Sequence, residues 1–244
     1  MPETARQIAD DLRARIESGE LLPGDRLPGE PSLVRTYGVA KMTANQALKI
    51  LVSEGRAVAR PGSGTYVREF RPIRRVANDR LSKSRWSKGH SIWSADVAQR
   101  PLVTDVQVYE TEAPHQVGRL LNLEPGAPVI VRSRKFVVEE RPVQIATSYF
   151  PAALVRDTAI THPNTGPGGA YARLTELGAE PVSFAEELRA RMPTEEERSA
   201  LNLAAGTPVL EICRTAFTKD ERPVEINQML LDAGSYVLEY RLSS

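Results

Sequence analysis

The sequence predicts an α+β protein with a helical amino-terminal part and a strand-rich carboxyl-terminal part. Three segments in the first 55 residues place apolar side chains at helical spacing. In the second half a strand-turn-strand pattern occurs twice, at a shift of about 80 residues. Between these regions, residues 69 to 100 follow no sustained period and are rich in Arg, Lys and Ser. We therefore expect a domain over residues 1–70, a linker over 71–100 and a second domain over 101–244.

Composition limits the classes of protein that remain. The chain has 244 residues, 41% of them hydrophobic, which is enough to bury a sizeable core. It contains no apolar run near the ~20 residues of a membrane span, and its start lacks a secretory signal pattern, so we expect a cytoplasmic protein that does not contact a membrane. Residues 1–100 carry a balance of +7 charges and residues 101–244 a balance of −6. The amino-terminal part is thus the candidate for binding a polyanion.

The first domain begins with three predicted helices. The first is capped by Thr4 and stops at Gly19, the second ends at Gly38, and the third follows at once and is closed by Gly55. The predicted inward faces are Ile8, Leu12 and Ile16 on the first helix, Leu33, Val34 and Tyr37 on the second, and Ala44, Ala47, Leu48 and Leu51 on the third. Two helices joined by a tight glycine turn predict a helix-turn-helix unit.

A β-hairpin is predicted after the third helix. In RAVARPGSGTYVREF, Val58 alternates with polar neighbours, the chain turns at residues 61–64, and a second strand resumes at Thr65. The glycines could also be interpreted as a phosphate loop, but GSGTY lacks the Lys-Ser/Thr ending and the strand-to-helix setting of that motif. The pattern favours a wing beside the helix-turn-helix.

Short polar residues are concentrated at the start of the third helix. Lys41, Thr43, Asn45 and Gln46 occupy the end by which a recognition helix enters the major groove. Asn and Gln suit the adenine edge, and Lys suits guanine or a phosphate. In isolation such residues more often cap and solvate a helix start, but the preceding turn and the basic wing favour the reading of double-stranded DNA.

These residues also carry a resemblance to a known family. The string PGDRLPGE…LVRTYGVAKMTANQALKILVSEGRAVARPGSGTYV resembles the winged-helix domain of the GntR family of bacterial transcription regulators, over residues 4 to 68. The resemblance implies DNA contacts from Lys41, Thr43 and Asn45. It also implies contacts from the wing, where the predicted set is Arg60, Gly62, Ser63 and Gly64.

The second domain is predicted from its internal repeat. LNLEPGAPVIV and ERPVQI in the first copy match LNLAAGTPVLE and ERPVEI in the second, and each copy predicts a short helix, a strand, a charged turn and another strand. With the helical segment TGPGGAYARLTELG between them, the copies predict an α+β domain built on an antiparallel sheet. Residues 100 to 242 resemble the UTRA effector domain of the HutC-like branch of the GntR family, which implies a chorismate-lyase-like fold and a ligand pocket between the two hairpins.

Candidate effector residues follow from that resemblance and from strand alternation. Alternation puts Arg132, Arg134 and Phe136 on one face of a strand. Where branch members that bind sugar phosphates have two arginines and a glutamate, this chain has Arg134, Phe136 and Ala146; a glutamate of the second copy, Glu225, is retained. Together with Tyr149 and Tyr171, these residues favour a mixed apolar and polar small molecule over a phosphosugar. Surface strand charges or a structural ion pair would explain Arg134 and Glu225 equally well.

An enzyme is not expected. His90, His115 and His162 are too far apart for a metal-ligating motif, and no cofactor or metal is predicted. The acidic pairs at residues 186–187 and 195–197 are predicted to lie in helical segments that face water.

The predicted function is that of a ligand-responsive transcription regulator. It would be a repressor that binds an inverted-repeat operator as a homodimer and is released by a small-molecule effector. The alternative is a DNA-binding regulator without a ligand, of the plasmid-maintenance or structural type.

Overall fold

The computed structural model describes residues 4–69, 73–77, 81, 102–138 and 140–241. The chain forms two units, which are Met1–Arg71 with Met192–Arg198 and Leu203–Pro208, and Pro72–Arg191 with Ser199–Asn202 and Val209–Ser244. None of the helices in the described part of the chain is both long enough and apolar enough to cross a membrane.

The first unit contains three helices and a hairpin. These elements are α1 (Ala5–Glu17), α2 (Glu30–Tyr37), α3 (Lys41–Ser53), β1 (Ala57–Arg60) and β2 (Gly64–Val67). Thr4 caps α1 as predicted, because its hydroxyl accepts from the Gln7 amide while the Gln7 side chain accepts from the Thr4 amide. Gly38 ends α2 in the left-handed region, with φ 64°, and so permits the tight turn into α3.

One hydrophobic core holds the first unit together. Ala44, Ala47, Leu48 and Leu51, the residues predicted to face inward on α3, are all buried. They pack with side chains of α1, α2 and the hairpin, among which the buried ones are Ile8, Ala9, Leu12, Leu33, Ala57 and Val67. The apolar half of α3 is therefore anchored, and its polar half is left outside.

The second unit is built on a six-stranded antiparallel sheet with the order β4-β5-β6-β9-β8-β7. Its strands are β4 (Leu102–Glu112), β5 (Pro128–Val138), β6 (Arg141–Pro151), β7 (Ser183–Arg191), β8 (Val209–Phe217) and β9 (Pro223–Asp232). The shorter elements are α4 (His115–Leu120), α5 (Ala152–Val155), a 3₁₀ turn (Ala159–Thr161) and α6 (Gly169–Glu176). A further helix, α7 (Glu195–Ala200), has residues 195–198 in the first unit and 199–200 in the second. Two further strands, β3 (Ile73–Val76) and β10 (Tyr236–Glu239), pair with each other in parallel.

The predicted repeat is present in the backbone as well as in the sequence. The hairpins β5-β6 and β8-β9 are its two copies, and they meet where β6 pairs with β9. Asn122 and Asn202 have φ of 53° and 49°, and Glu140 and Glu221 have φ of 64° and 59°. Left-handed backbone is uncommon outside glycine, and more so for Glu than for Asn, so its recurrence at matching positions shows that both copies use the same turns.

Three features differ from the sequence-based expectations. The edge strands β4 and β7 were not predicted, and the prediction that Glu186 lies in a helical, water-facing segment is wrong, since it lies in β7 with a side chain only 5% exposed. Residues 73–76, expected in a linker, form β3. Most of the remaining linker lies outside the described residues.

Candidate functional site

The amino-terminal end of α3 presents polar side chains to solvent. Lys41 and Gln46 are exposed, and Thr43 and Asn45 are partly exposed. Ala40, the residue before the helix, supplies no side-chain cap. The first turn thus combines backbone N–H groups that favour an anion with side chains that reach outward, which is the arrangement needed at a phosphate-lined groove.

Glu30, at the start of α2, contacts two of these residues. The Asn45 side-chain amide donates to the Glu30 carboxylate, and the Lys41 Nζ lies 3.7 Å from the other carboxylate oxygen. With one N–H of its amide engaged by Glu30, Asn45 keeps its oxygen and its second N–H for a base edge. Glu30 therefore orients the Asn45 amide, and sequence patterning did not indicate this role.

The wing carries a second basic contact surface. The Arg60 guanidinium lies 4.3 Å from the centre of the Tyr66 ring, and the Ser63 and Tyr66 hydroxyls are 2.7 Å apart. Gly64 has φ 126°, a conformation that residues with a side chain rarely adopt, and the Arg26 side chain lies beside it, with Nε 2.9 Å from the place where a Cβ would stand. Arg26, from the turn PGDRLPG, was not predicted as part of the surface.

In the second unit, polar side chains form a row across one face of the sheet. Register pairs Arg132 with Ser148, Ser148 with Asn227, Asn227 with Arg214, and Arg214 with Glu186. Paired residues of an antiparallel sheet project from the same face. Arg134 and Glu225 lie two residues from Arg132 and Asn227 on the same face. We call these seven residues the polar band.

The polar band lies between two apolar clusters. On one side, Phe150, Ile160 and Leu174 pack with side chains of α5, α6 and the 3₁₀ turn. On the other side, Met229 and Tyr236 pack with neighbours from β3 and β10. Charges in such a setting lose much of their hydration, and burial without a compensating partner is costly.

Some hydrogen bonds of the polar band are satisfied within the protein. Arg132 donates to the backbone carbonyls of Ile160, His162 and Pro163. Arg134 donates to the Ser148 hydroxyl. The Tyr171 hydroxyl donates to the Glu225 carboxylate over 2.6 Å. These contacts orient the guanidinium groups of Arg132 and Arg134 and the carboxylate of Glu225.

Other polar atoms have no partner among the described residues. They are the Nε atoms of Arg132, Arg134 and Arg214, Nη1 of Arg214, and Oδ1 of Asn227. Arg214 Nη2 lies 3.8 Å from the Glu225 carboxylate, which is its ion-pair contact here. Three arginines thus face one glutamate, because Glu186 is bound by the buried Arg75. The group of Arg132, Arg134, Arg214 and Glu225 has an excess of two positive charges and several open hydrogen-bond donors. This combination suits a bound anion.

Burial perturbs the titration of the band. Burial, with the neighbouring Arg134 charge, lowers the pKa of Arg132 to about 10, and burial also lowers the pKa of Arg134. Arg132 therefore stays protonated near neutral pH. Burial raises the pKa of Tyr171 well above its ordinary value, so its hydroxyl remains a donor. Burial would raise the pKa of Glu186, but the hydrogen bonds and charge of Arg75 outweigh it and leave that pKa lowered.

The structure brings together some predicted effector residues and separates others. Arg134, Tyr171 and Glu225 belong to one cluster. Phe136 shares their face but is buried in the apolar cluster beside the band. Tyr149 projects from the opposite face, where it packs against Val129, Val131 and Ile226, because alternation along β6 sends Ser148 and Tyr149 to opposite sides.

Sequence reasoning missed Arg214 and gave Arg132 no role. The repeat offered a signal for Arg214, which follows Arg134 by the repeat shift of 80 residues. The two added arginines change the expected ligand chemistry. A lone Arg134 facing a lone Glu225 favoured a mixed small molecule, whereas the observed excess of positive charge favours an anionic one.

A surface groove lined by Asn122, Pro151, Leu154, Asp220 and Arg222 contains none of the polar band. In the part of the chain that the structure describes, no cluster of His, Cys, Asp or Glu is arranged to hold a metal ion. His90 lies outside the described residues.

Comparison with known proteins agrees with both units. The family model of bacterial regulatory proteins, gntR family, matches residues 4–67, and the UTRA domain model matches residues 99–236. An HTH-type transcriptional regulator of Streptomyces coelicolor is 34% identical, with 90% of this chain and 85% of that protein covered. The mannosyl-D-glycerate transport/metabolism system repressor MngR of Escherichia coli is 29% identical, with 95% and 92% covered.

Solved structures show the same fold. A crystal structure assigned to a GntR-family transcriptional regulator matches with a TM-score of 0.70 at 30% identity, over 98% of this chain and 97% of that one. PhnF from Mycobacterium smegmatis matches with a TM-score of 0.60 at 20% identity, over 97% and 99%. The predicted α+β class and two-domain family resemblance are confirmed, and the relatives are regulators rather than enzymes. The chain belongs to the GntR family of bacterial transcription regulators and carries a UTRA domain.

Proposed function

We propose that this GntR-family regulator is a repressor whose operator binding is released by a small anionic effector held in the polar band. The observation that carries the ligand class is the excess of two positive charges among Arg132, Arg134, Arg214 and Glu225, together with their open donors. Such an excess is costly in a buried site unless an anion compensates it.

The polar atoms that lack a hydrogen-bond partner limit the class of ligand further. Four open N–H donors on the arginines suit a carboxylate or a phosphate group, because guanidinium groups bind both with charge-assisted hydrogen bonds. The open Oδ1 of Asn227 suits a hydroxyl or amine donor on the same molecule. The E. coli relative is named for mannosyl-D-glycerate, which has a carboxylate and hydroxyls. A hydroxylated carboxylate or phosphate is the class that these groups fit.

DNA reading is proposed for the first unit. Lys41, Thr43, Asn45 and Gln46 would enter the major groove from α3. The wing residues Arg60, Gly62, Ser63 and Gly64 would contact the adjacent backbone or minor groove, with Arg26 beside them. Two copies in a homodimer would present these surfaces to the halves of an inverted repeat. Residues 1–70, 71–100 and 101–244 remain our proposed division into reading domain, linker and effector domain, and a regulator of chromosomal DNA would act in the cytoplasm.

The proposal is tested by selecting DNA with the purified full-length protein and then releasing it. A random double-stranded pool should yield one inverted repeat, and its affinity, followed by fluorescence anisotropy, should fall when hydroxycarboxylates or phosphate monoesters are added. Uncharged sugars of similar size are the ligand control. Arg214→Met should keep operator affinity within ~2-fold and lose the response, because the substitution removes open donors far from α3 along the chain.

Two outcomes would count against the proposal. Failure to enrich any sequence would remove the DNA-reading function. Enrichment of an inverted repeat that no anion releases, with wild-type and Arg214→Met proteins alike, would instead favour a regulator without a ligand.

A further inference from the structure

Arg75 is a fully buried arginine in the segment that the sequence indicated as a linker. It lies in β3, and its side chain is 0% exposed. Both of its terminal nitrogens donate to the carboxylate of Glu186 in β7, and the Tyr240 hydroxyl donates to the same carboxylate over 2.7 Å. A buried ion pair of this kind is a poor source of net stability, which raises the question of what else it does.

Glu186 is also the last member of the polar band. It is the cross-strand partner of Arg214, so their side chains leave the sheet as neighbours with Cβ atoms ~5 Å apart. Arg214 therefore stands between two carboxylates, with Glu225 3.8 Å from its Nη2 and Glu186 on the next strand. The positive charge of Arg214 contributes to the lowered pKa of Glu186, after the larger effects of burial, Arg75 and Tyr240.

These contacts make a line of alternating charge from the anion site to β3. Its members, in order, are Glu225, Arg214, Glu186 and Arg75. Only five residues separate β3 from β2, the second strand of the wing hairpin. β3 therefore belongs to the chain segment that follows directly on the proposed DNA-reading unit, and a change in how tightly β3 packs acts on that segment.

An anion on the open Nε and Nη1 of Arg214 would compensate the charge that Arg214 offers to Glu186. Glu186 would then depend more on Arg75 for compensation, so the ion pair that holds β3 would strengthen. By reciprocity, losing Arg75 would leave Glu186 to compete with the anion for Arg214 and would weaken anion binding by the same factor.

We propose that the Arg75–Glu186 pair couples anion occupancy at Arg214 to the seating of β3, and so transmits the effector signal toward the DNA-reading unit. The inference rests on the proposed function, since it takes the polar band as the effector site. In this role Arg75 and Glu186 are positioning residues that act through Arg214 rather than ligand contacts.

The first test measures the binding of inorganic phosphate to the full-length protein by calorimetry at constant ionic strength. Arg75→Met should weaken phosphate binding by at least ~5-fold, the lower range of such couplings. Arg75→Lys, which keeps the charge but not the two-pronged hydrogen bond, should stay within ~2-fold of wild type. Adding Glu186→Gln to Arg75→Met should restore the affinity, because the competing carboxylate is gone.

The second test measures whether phosphate binding still changes the affinity for the operator. Phosphate should change operator affinity in the wild-type protein, but not in the Arg75→Met, Glu186→Gln double variant, although that variant binds phosphate. Arg156→Met with Glu110→Gln is the matched control, since this pair is an exposed ion pair of the same unit, 54% and 40% exposed. It should leave both binding and response unchanged.

The outcomes separate the coupling from the function on which it rests. If phosphate does not bind the wild-type protein, the proposed anion site is wrong and the coupling with it. If phosphate binds and shifts operator affinity, but Arg75→Met has no effect or the double variant still responds, the coupling alone is wrong. A double variant that binds phosphate no better than Arg75→Met would assign the pair a structural role only.

Discussion

At the scale of single residues, Glu30 contacts two side chains of the proposed DNA-reading helix. Its carboxylate accepts from Asn45 and lies 3.7 Å from the Lys41 ammonium. A carboxylate beside a groove-binding surface repels phosphate, yet it also limits Asn45 to one orientation. If α3 reads DNA as proposed, we expect Glu30 to lower general DNA affinity while restricting the base contacts that Asn45 makes.

Glu30→Gln tests that balance. We expect tighter binding to unrelated DNA, by about 1 kcal/mol or less, because a negative charge near the phosphates is removed. We also expect weaker discrimination at the operator position read by Asn45, where a wrong base now costs ~1–3 kcal/mol. Competition of operator and point-mutated oligonucleotides measures both. Asn45→Ala is the control for that position, and an unchanged base preference in both variants would contradict the assignment.

At the scale of elements, the turn between α2 and α3 depends on one backbone conformation. Gly38 has φ 64°, and nothing lies within 4 Å of the place where a Cβ would stand. A substitution there is consequently strained by conformation and not by crowding. The turn fixes the direction in which α3 leaves the core formed with α1 and α2.

Gly38→Ala should lower the free energy of unfolding of the first unit by about 1 kcal/mol, whereas Gly38→Asn should lose less, since Asn tolerates the left-handed region better than Ala. Urea denaturation followed by circular dichroism measures the difference. Equal losses for Ala and Asn would indicate that contacts, rather than φ, decide the cost at this position.

At the scale of the whole molecule, the two units have separate cores. The first has one apolar cluster, and the second has clusters on both sides of the polar band. The proposed anion binds in the second unit alone, so its binding free energy stabilises that unit's folded state.

Calorimetry of the full-length protein should therefore show two thermal transitions, of which phosphate raises one. At a hundred times its dissociation constant the ligand should add about 2.7 kcal/mol to the stability of the second unit. Arg214→Met should abolish the shift, while Gly38→Ala should lower only the other transition. A single transition that moves with both changes would show that the units unfold together.

The sequence alone determined the elements whose signals are local. The helical periods, the Thr4 cap, the glycine turns and the repeated hairpins are encoded within about 20 residues each, and all are observed. The edge strands β4 and β7 were not predicted, because only one face of each strand packs and their charged residues obscure the alternation of apolar and polar residues. For that reason the sequence predicted that Glu186 would face water.

Only the tertiary structure decided the composition of the polar band. Arg132, Arg214 and Glu225 are separated by up to 93 residues in the chain, and strand register, which depends on non-local pairing, brings them together. The same register sends Tyr149 to the opposite face of the sheet. Local patterns specify which residues can carry charge inward, but the balance of buried charge, and with it the chemistry of the ligand, is a property of the assembled sheet.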